Sequence, residues 1–573
     1  MLKMRKINNL IKMLVLCGGL FFASCETTEL DLTQNPNALA PEQADPDFYL
    51  NSIQLSYAYL IESFGNTAGA VTRIDYMNGR DYANAYQPGS FNGRWSSAYQ
   101  TIMQDIREMN ILADEAGLTH HKGIGQFIEA HILMTLVDFF GDIPYTEAFQ
   151  GAANLNPMSD SGESVYAVAL GLLDSAIANF NSDALGDPTW VGGTIDPFYN
   201  GDWSKWTKAA NTLKMNAYMN TRNVDGSALA NFNAIVASGN YISTNADDFQ
   251  FRWGTEAIQP DSRHPRYRSN YTATGGGSYM SNSLMDYMRG GFDGGYDIGG
   301  GVFIADPRIM FYYHRQTNPT PGIAGAPANE EVLECGLQNA PAHYAGYVFC
   351  ANPQGWWGRD HGNDNGIPPD GFLRTLAGVY PAGGKLDDWS YGGQTDGAGN
   401  AGNGITPILL ASWQDFLIAE AELVSGDEVA AKNAMFVGIQ KSMDKVLNFY
   451  PRTERFDAIM DIYFGGLAFV QNQFYARISD EWDAAANVMD VLGMQSFVAQ
   501  YGNGLGAYNF YRRTGFPTTL QPNIEPNPGG FIRSFYYPGD HANNNSNISQ
   551  KSGVTEPVFW DNGGASPGFP AAN

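Results

Sequence analysis

The sequence predicts a mainly α-helical protein in which paired helices form a scaffold and a long irregular segment forms a functional loop assembly with short strands. Two observations lead to this fold class. Apolar residues recur every three or four positions before residue 240 and again after residue 405, as on one face of an amphipathic helix. Between these positions the chain is rich in Gly, Asn, Pro and aromatic residues. A segment of that length without helical period is typical of functional loops with short strands, flanked here by helices of bundle or repeat type.

The N-terminus has the pattern of an export signal that ends in a lipidation site. Basic residues begin the chain, an apolar run extends to Phe22, and the small residues Ala and Ser precede Cys25. This order is typical of a secretory signal peptide, and the run is shorter than the roughly 20 apolar residues that span a bilayer. We therefore expect a lipoprotein signal peptide over 1–24, a lipid on Cys25 and a flexible, membrane-anchored tether over 25–40.

The helices of the N-terminal scaffold, 41–239, follow from apolar spacing and from end signals. Gly65 is expected to end the first helix, Asp160 to cap the fourth with Glu163 at its third position, and Asp202 to precede the fifth. The predicted helices span 41–64, 95–113, 124–140, 163–180, 203–222 and 229–236.

Three further segments complete the expected organisation. The irregular ligand-binding region covers 240–405, a C-terminal helical scaffold covers 406–516, and a loop-rich tail covers 517–573. Within the C-terminal scaffold the same apolar period predicts helices over 408–423, 429–446, 485–501 and 505–512.

Charge and cysteine content limit the partners of the protein and predict one disulfide. The chain has 33 Lys and Arg against 59 Asp and Glu, for a net charge of −26, which makes nucleic acid and a bare anionic membrane unfavourable partners. Of the four cysteines, one lies in the signal peptide and one is the lipidation site. In an oxidising compartment the remaining pair, Cys335 and Cys350, is expected to form a disulfide.

The catalytic and metal-binding motifs present in the sequence do not identify an enzyme. Gly564 to Gly568 fits the nucleophile-elbow pattern, but Pro567 follows the serine and cannot donate the required N–H. The loop from Asp360 to Phe372 lacks the EF-hand ligands, because Phe372 stands where a bidentate Glu belongs. This loop leaves room for a structural calcium ion, and no cofactor is expected otherwise. Among 59 carboxylates a pair at glycosidase separation is not excluded by the sequence.

Aromatic residues in the irregular region indicate carbohydrate binding. Sugar rings present apolar C–H faces and a rim of hydroxyl groups, so a binder needs flat aromatic platforms beside planar hydrogen-bonding groups. Two stretches have this mixture, one from Trp356 to Asp360 and one from Tyr76 to Tyr86, and Trp389 and Tyr391 are further candidates. The candidate ligand-binding residues are Trp356, Trp357, Arg359, Asp360, Arg80, Tyr82 and Trp389.

Five segments, in order along the chain, resemble the SusD/RagB family of nutrient-binding outer-membrane lipoproteins of Bacteroidota. They are similar to its GDIPY segment, its A-N-x-L-K helix, its A-E-A helix, its R-T-G-x-P corner and its C-terminal Y-P block, where His541 replaces the usual Glu. These segments are 139–148, 206–222, 411–423, 508–517 and 533–545.

The resemblance implies a tetratricopeptide-like scaffold of helical pairs whose irregular segments form the ligand face. Such proteins sit at the cell surface on a SusC-like TonB-dependent transporter, capture oligosaccharide or, in the RagB branch, peptide, and perform no chemistry. Glycan is therefore the expected ligand here. A peptide ligand is the near alternative, and a surface glycoside hydrolase is the alternative of another class.

Overall fold

The structure, a computed structural model, has two groups of helices separated by an irregular region, which confirms the predicted fold class. It describes residues 45–182, 195–273, 277–290, 306–320, 335, 338–364 and 373–561. The predicted signal peptide, Cys25 and the tether lie outside the described residues.

The first group lies in 46–238. Its members are α1 (Pro46–Val71), α2 (Tyr82–Ala85), α3 (Asn92–Ser96), α4 (Gln104–Ala116), α5 (Thr119–Phe140), α6 (Gly162–Phe180), α7 (Trp203–Thr221) and α8 (Ala228–Ser238).

Helices that are neighbours in the sequence pack as pairs, because each has an apolar face to bury. In the first group α5 packs along α6, and α6 along α7. Helix α5 is the centre of the group, since nearly all its side chains are buried. It is the one described helix long and apolar enough to cross a membrane, yet 94% of its apolar window is buried inside the protein.

Two predicted helix ends were wrong. Helix α1 continues past Gly65 to Val71. A Cβ at Gly65 would lie 2.6 Å from Asn503 Oδ1, so this glycine permits close packing instead of ending the helix. Helix α6 is capped by Ser161, whose side chain accepts from the Ser164 amide.

Asp160 has a different role from the predicted cap. Its carboxylate accepts hydrogen bonds from the amides of Tyr145 (2.7 Å) and Thr146 (2.9 Å). Its backbone pairs with Ile143. Asp160 therefore holds the turn that follows α5 against the start of α6.

The predicted helix over 95–113 is divided in the structure. A π-helical turn, Ser97–Met103, lies between α3 and α4. Such turns insert an extra residue per turn and are frequent near functional sites. Apolar spacing alone does not reveal this change of period.

The irregular region contains short elements. They are β1 (Phe249–Arg252), α9 (Pro265–Asn270), α10 (Asn282–Arg289), α11 (Ile309–Tyr312), β2 (Tyr313–His314), β3 (Leu376–Ala377) and β4 (Ile405–Leu409). Strand β1 pairs antiparallel with β4, with Phe249 opposite Leu409, and β2 pairs antiparallel with β3. Both pairs join distant parts of the region and fix its loops on the scaffold.

The second group of helices lies in 411–514. Its members are α12 (Ala411–Ser425), α13 (Glu428–Leu447), α14 (Glu454–Phe464), α15 (Leu467–Ala484), α16 (Val488–Ala499) and α17 (Leu505–Thr514). Helices α12 and α13 form another long pair.

The predicted list omitted α14 and α15. The signal for α15 is present in the sequence, because Val470, Phe474, Ile478 and Trp482 recur every fourth residue and are buried.

The tail returns to the first group of helices instead of extending away. Phe535 donates its amide to the Phe139 carbonyl at 2.7 Å, and Tyr537 donates its hydroxyl to the Asp142 carbonyl at 3.0 Å. A short helix, α18 (Gly539–Asn544), lies in this part of the tail.

Candidate ligand-binding face

Trp356 and Trp357 are both buried, each with 1% of its surface exposed. Trp356 is part of the main core, and the Arg315 guanidinium lies 4.4 Å from its ring centre. Trp357 packs on Cys335 and Cys350. A ring can stack on a sugar only if one face is open, so the predicted contact of this pair with ligand was wrong.

Arg359, Asp360 and Tyr82 are also buried, and the structure assigns them to holding loops. The Asp360 carboxylate accepts from the Cys350 amide at 2.6 Å and from the side chains of Asn282 and Gln521 at 3.0 Å each. Burial raises the pKa of Asp360. These three predicted binding residues are therefore corrected to structural ones.

The Tyr82 hydroxyl accepts from Arg73 at 2.9 Å. The Arg359 backbone pairs with Met280 and Asn282. The first contact fixes the start of α2 on the loop after α1, and the second holds two segments of the irregular region together.

The structure joins Cys335 to Cys350 by a disulfide, with the two Cα atoms 5.5 Å apart. The bond closes a loop beside Trp357.

The structure describes only part of the loop from Asp360 to Phe372, for which a structural calcium ion was considered, because 365–372 lies outside the described residues. Among the residues that the structure describes, no group of three or more His, Cys, Asp or Glu side chains could hold a metal ion.

Arg80 remains a surface residue, with 52% of its side chain exposed. Its guanidinium forms ion pairs with Asp364 and Glu525, both at 3.0 Å. Its φ of 57° lies in the left-handed region, which a non-glycine residue enters only when surrounding contacts hold it there.

Trp389 is the predicted tryptophan that does reach the surface. It is half-buried, and its ring lies 5.0 Å from Tyr463, which is 48% exposed. Tyr391 is 37% exposed, and the Arg315 guanidinium lies 5.4 Å from the Tyr391 ring and 5.8 Å from the Trp389 ring. We call Trp389, Tyr391 and Tyr463 the tryptophan platform.

The backbone beneath this platform is fixed from two sides. The Asp387 carboxylate accepts from the Trp389 amide at 3.1 Å and from Arg315 Nε at 2.6 Å. Arg455 donates to the carbonyls of Asp388 and Trp389 at 2.8 and 3.0 Å. Trp389 itself has a φ of 58°. This unfavourable conformation is held by the surrounding contacts, as is common at ligand sites.

Asp388 strengthens the same turn. Burial alone would raise the pKa of its carboxyl, but hydrogen bonds from Ser390 and Thr453 outweigh burial and lower it. Asp388 is therefore charged at neutral pH and ties the platform to the start of α14 through Thr453 (2.9 Å).

The exposed Asn318 and the half-buried Gln394 form a polar rim beside the platform, next to the buried Gln316. Tyr391 donates to Asn318 Oδ1 at 3.3 Å, and the backbone N–H of Gln394 donates to Gln316 Oε1 at 2.7 Å. Gln316 Nε2 donates to the Arg374 carbonyl at 2.8 Å. Planar amides of this kind can donate to and accept from sugar hydroxyls.

A second aromatic cluster, formed by Tyr76 and Tyr279, lies beside Arg374, whose carbonyl accepts from Gln316. The guanidinium groups of Arg374 and Arg359 lie 4.2 and 4.7 Å from the Tyr279 ring centre. Tyr76 packs edge-on against Tyr279 at 5.9 Å. Sequence reasoning missed Tyr279, because it follows a run of glycines without a second aromatic motif beside it. The platform and its rim make the candidate ligand-binding face, and the Tyr279 cluster is linked to it through Gln316 and Arg374.

A family model described as starch-binding and associating with the outer membrane matches residues 36–330, which is just over half of the chain. The chain belongs to this SusD-like family. Proteins of the family are binding proteins rather than enzymes.

Solved structures agree with the fold of this SusD-like chain. A SusD/RagB family protein from Bacteroides thetaiotaomicron is 19% identical, covers 91% of this chain and 99% of its own, and has a TM-score of 0.59. A SusD homologue from Bacteroides fragilis is 16% identical, with 91% and 99% covered and a TM-score of 0.59. A chitin-binding SusD homologue from Flavobacterium johnsoniae is 17% identical, with 90% and 97% covered and a TM-score of 0.56. A search of curated protein sequences finds no match.

Residues of the SusD-like motifs hold the scaffold together. Glu420, from the A-E-A helix, is fully buried and binds Arg513 of the R-T-G-x-P corner and Arg222 of the A-N-x-L-K helix. His541, which replaces the usual Glu, stacks on Trp95 with ring centres 4.5 Å apart. Motif similarity therefore predicts the fold better than the ligand.

Proposed function

We propose that this SusD-like protein binds oligosaccharide at the cell surface and delivers it to a SusC-like TonB-dependent transporter. The observation that carries the proposal is the tryptophan platform, in which exposed aromatic surface lies beside a rim of amides.

The chemistry of this surface favours a sugar. Trp389 and Tyr391 offer flat apolar area for the C–H face of a pyranose ring, and Asn318 and Gln394 offer groups for its hydroxyls. The backbone is held by Asp387 and Arg455 before any ligand arrives. A surface that is ordered in advance loses little conformational entropy when it binds.

The relatives support a glycan over other ligands. The family description names starch binding, and the Flavobacterium johnsoniae homologue is described as chitin-binding. The same description supports association with the outer membrane. For this chain we propose that Cys25 carries the lipid anchor and that the 25–40 tether lets the protein move on its transporter.

Binding measurements with single variants test the ligand face. Chitin and starch oligosaccharides would be titrated calorimetrically into the wild type and into Trp389→Ala and Tyr391→Ala. Taking bases stacked on aromatic side chains as a guide, each lost platform ring costs about 1–3 kcal/mol of binding free energy. Phe48→Ala is the matched control, because Phe48 is 64% exposed but lies on α1.

Three results would count against the proposal. Unchanged affinity in both platform variants would place the site elsewhere. Binding of peptides but of no glycan would favour the RagB-type alternative, and release of shortened sugars from purified protein would favour a hydrolase. Delivery is tested separately: gentle detergent extraction followed by affinity capture should recover a TonB-dependent barrel, and its consistent absence would contradict the transporter partner.

A further inference from the structure

A cavity lined by both polar and apolar side chains lies between the two groups of helices and shares no residue with the candidate ligand-binding face. It leaves about 80 Å³ for the centres of water-sized molecules. Its wall comes from α5, α6, α7, α12, α16 and α17 and from the end of β4. Its polar wall residues include Asn216, Gln414, Ser496 and Gln500.

Three side-chain oxygens in this wall have no hydrogen-bond partner within the described part of the chain. They are Asn216 Oδ1, Gln414 Oε1 and Gln500 Oε1. Gln414 and Gln500 are 1% and 4% exposed. The Gln414 amide is oriented by its nitrogen, which donates to the Leu410 carbonyl (3.4 Å), and Gln500 Nε2 donates to Ser496 Oγ (2.8 Å).

These oxygens determine what kind of molecule the cavity suits. A buried acceptor without a partner costs about 1–3 kcal/mol, so three in one cavity favour an occupant that brings N–H or O–H groups. Every unpaired side-chain N or O atom in this described wall is an acceptor. An occupant rich in donors therefore matches the wall, whereas an anion does not.

The volume of the cavity and the apolar part of its wall limit further the class of molecule that it can hold. One ordered water needs roughly 10–15 Å³ of such space, so the cavity takes on the order of six waters, or one small molecule of comparable volume. Met134, Leu213 and Phe416 supply apolar surface beside the amides. Apolar walls with a few directed polar groups are typical of small-molecule sites.

Part of the cavity wall also reaches the protein surface. Asn216, Leu417 and Leu505 in its wall are only half-buried. Gly506 next to them is exposed, and a Cβ there would lie 2.6 Å from Gln500 Oε1. A methyl group at this position would push the Gln500 amide out of its place.

We propose that this cavity is a second binding site, for a neutral polyhydroxylated molecule the size of a monosaccharide, held by the amide oxygens of Gln414 and Gln500. The site does not depend on the tryptophan platform or on the proposed function, because it shares no residue with the ligand face. Its occupant would bridge the two groups of helices and stabilise their packing.

D-glucose is the probe, and glucose with every hydroxyl methylated is the matched ligand that cannot donate. Glucose should raise the melting temperature of the full chain in proportion to its binding, and the methylated sugar should not. Gly506→Ala and Gln414→Leu should each weaken glucose binding at least about tenfold, the loss of one to two buried hydrogen bonds.

Two controls separate this site from other effects. Gly171→Ala, at a helix position where a Cβ meets nothing within 4 Å, should keep the glucose effect, and so should Trp389→Ala. If Gln414→Leu fails to fold, Gly506→Ala still decides the question. Equal stabilisation by both sugars, a glucose effect that survives Gly506→Ala, or a glucose-soaked crystal that shows only waters in the cavity would each overturn the proposal.

Discussion

Glu420 is a buried charge that joins three helices of the scaffold, and Glu420→Ala tests its contribution directly. Its carboxylate is fully buried and faces two arginines. Arg513 binds it through Nε (2.8 Å) and Nη2 (2.5 Å), and Arg222 Nη2 lies 2.9 Å away. Removing the carboxylate leaves both guanidinium groups buried without their counter-charge. Breaking a buried ion pair costs about 3–5 kcal/mol, so we expect the free energy of unfolding to fall by about that amount.

The pH dependence gives a second measure of the same contact. Burial alone would raise the pKa of Glu420, but Arg513 and Arg222 outweigh burial and lower it. A carboxyl whose folded pKa is depressed stabilises the protein above its unfolded pKa, about 4.3, and this stability is lost as the pH falls through the folded pKa. The wild type should lose stability in that acidic range, and Glu420→Gln should lose less there.

Chemical denaturation of the wild type, Glu420→Ala, Glu420→Gln and the control Glu422→Gln measures both effects. Glu422 lies two residues along the same helix and is only half-buried. A loss below about 1 kcal/mol in Glu420→Ala, the size of a typical surface ion pair, would refute the reasoning. So would an acid response identical in the wild type and in Glu420→Gln.

Three further predictions concern the core, the disulfide and the anchor. Trp356→Ala should destabilise the fold by about 3–5 kcal/mol because the ring is buried in the core, and a melting curve unchanged from that of the wild type would contradict this burial. Reducing the bond between Cys335 and Cys350, which are 15 residues apart, should lower the unfolding free energy by about 3 kcal/mol in the chain-entropy model; two free thiols in alkylated, non-reduced protein would show that no bond forms. Cys25→Ala should leave the protein unacylated, as mass spectrometry would show, and a variant still lipid-modified and membrane-bound would move the anchor elsewhere.

Local sequence signals determined most of the scaffold. An apolar period of three to four residues depends only on helix geometry, so it located α5, α7, α12 and α13. The predicted start of α7 behind Asp202 was correct for the same reason, because Asp202 caps the helix through a contact with the amide three residues away. Motif order was sufficient to place the chain in its family.

Tertiary structure decided which aromatic residues form the candidate ligand-binding face. Trp356 and Trp389 both lie in glycine-rich polar sequence, and nothing beside either one states whether it is exposed. Trp356 is covered by the core and by Arg315, whereas Trp389 packs against α14, which is more than 60 residues later in the chain.

The ion pairs of the scaffold were likewise decided by tertiary structure. The sequence shows that Glu420, Arg222 and Arg513 are present, but only the fold brings them together from three distant helices. Exposure and ion pairing depend on which distant segments cover a side chain, whereas helix formation depends on neighbours within one or two turns. For this protein, local sequence therefore determined the helices, and long-range packing determined which aromatic residues are available to a ligand.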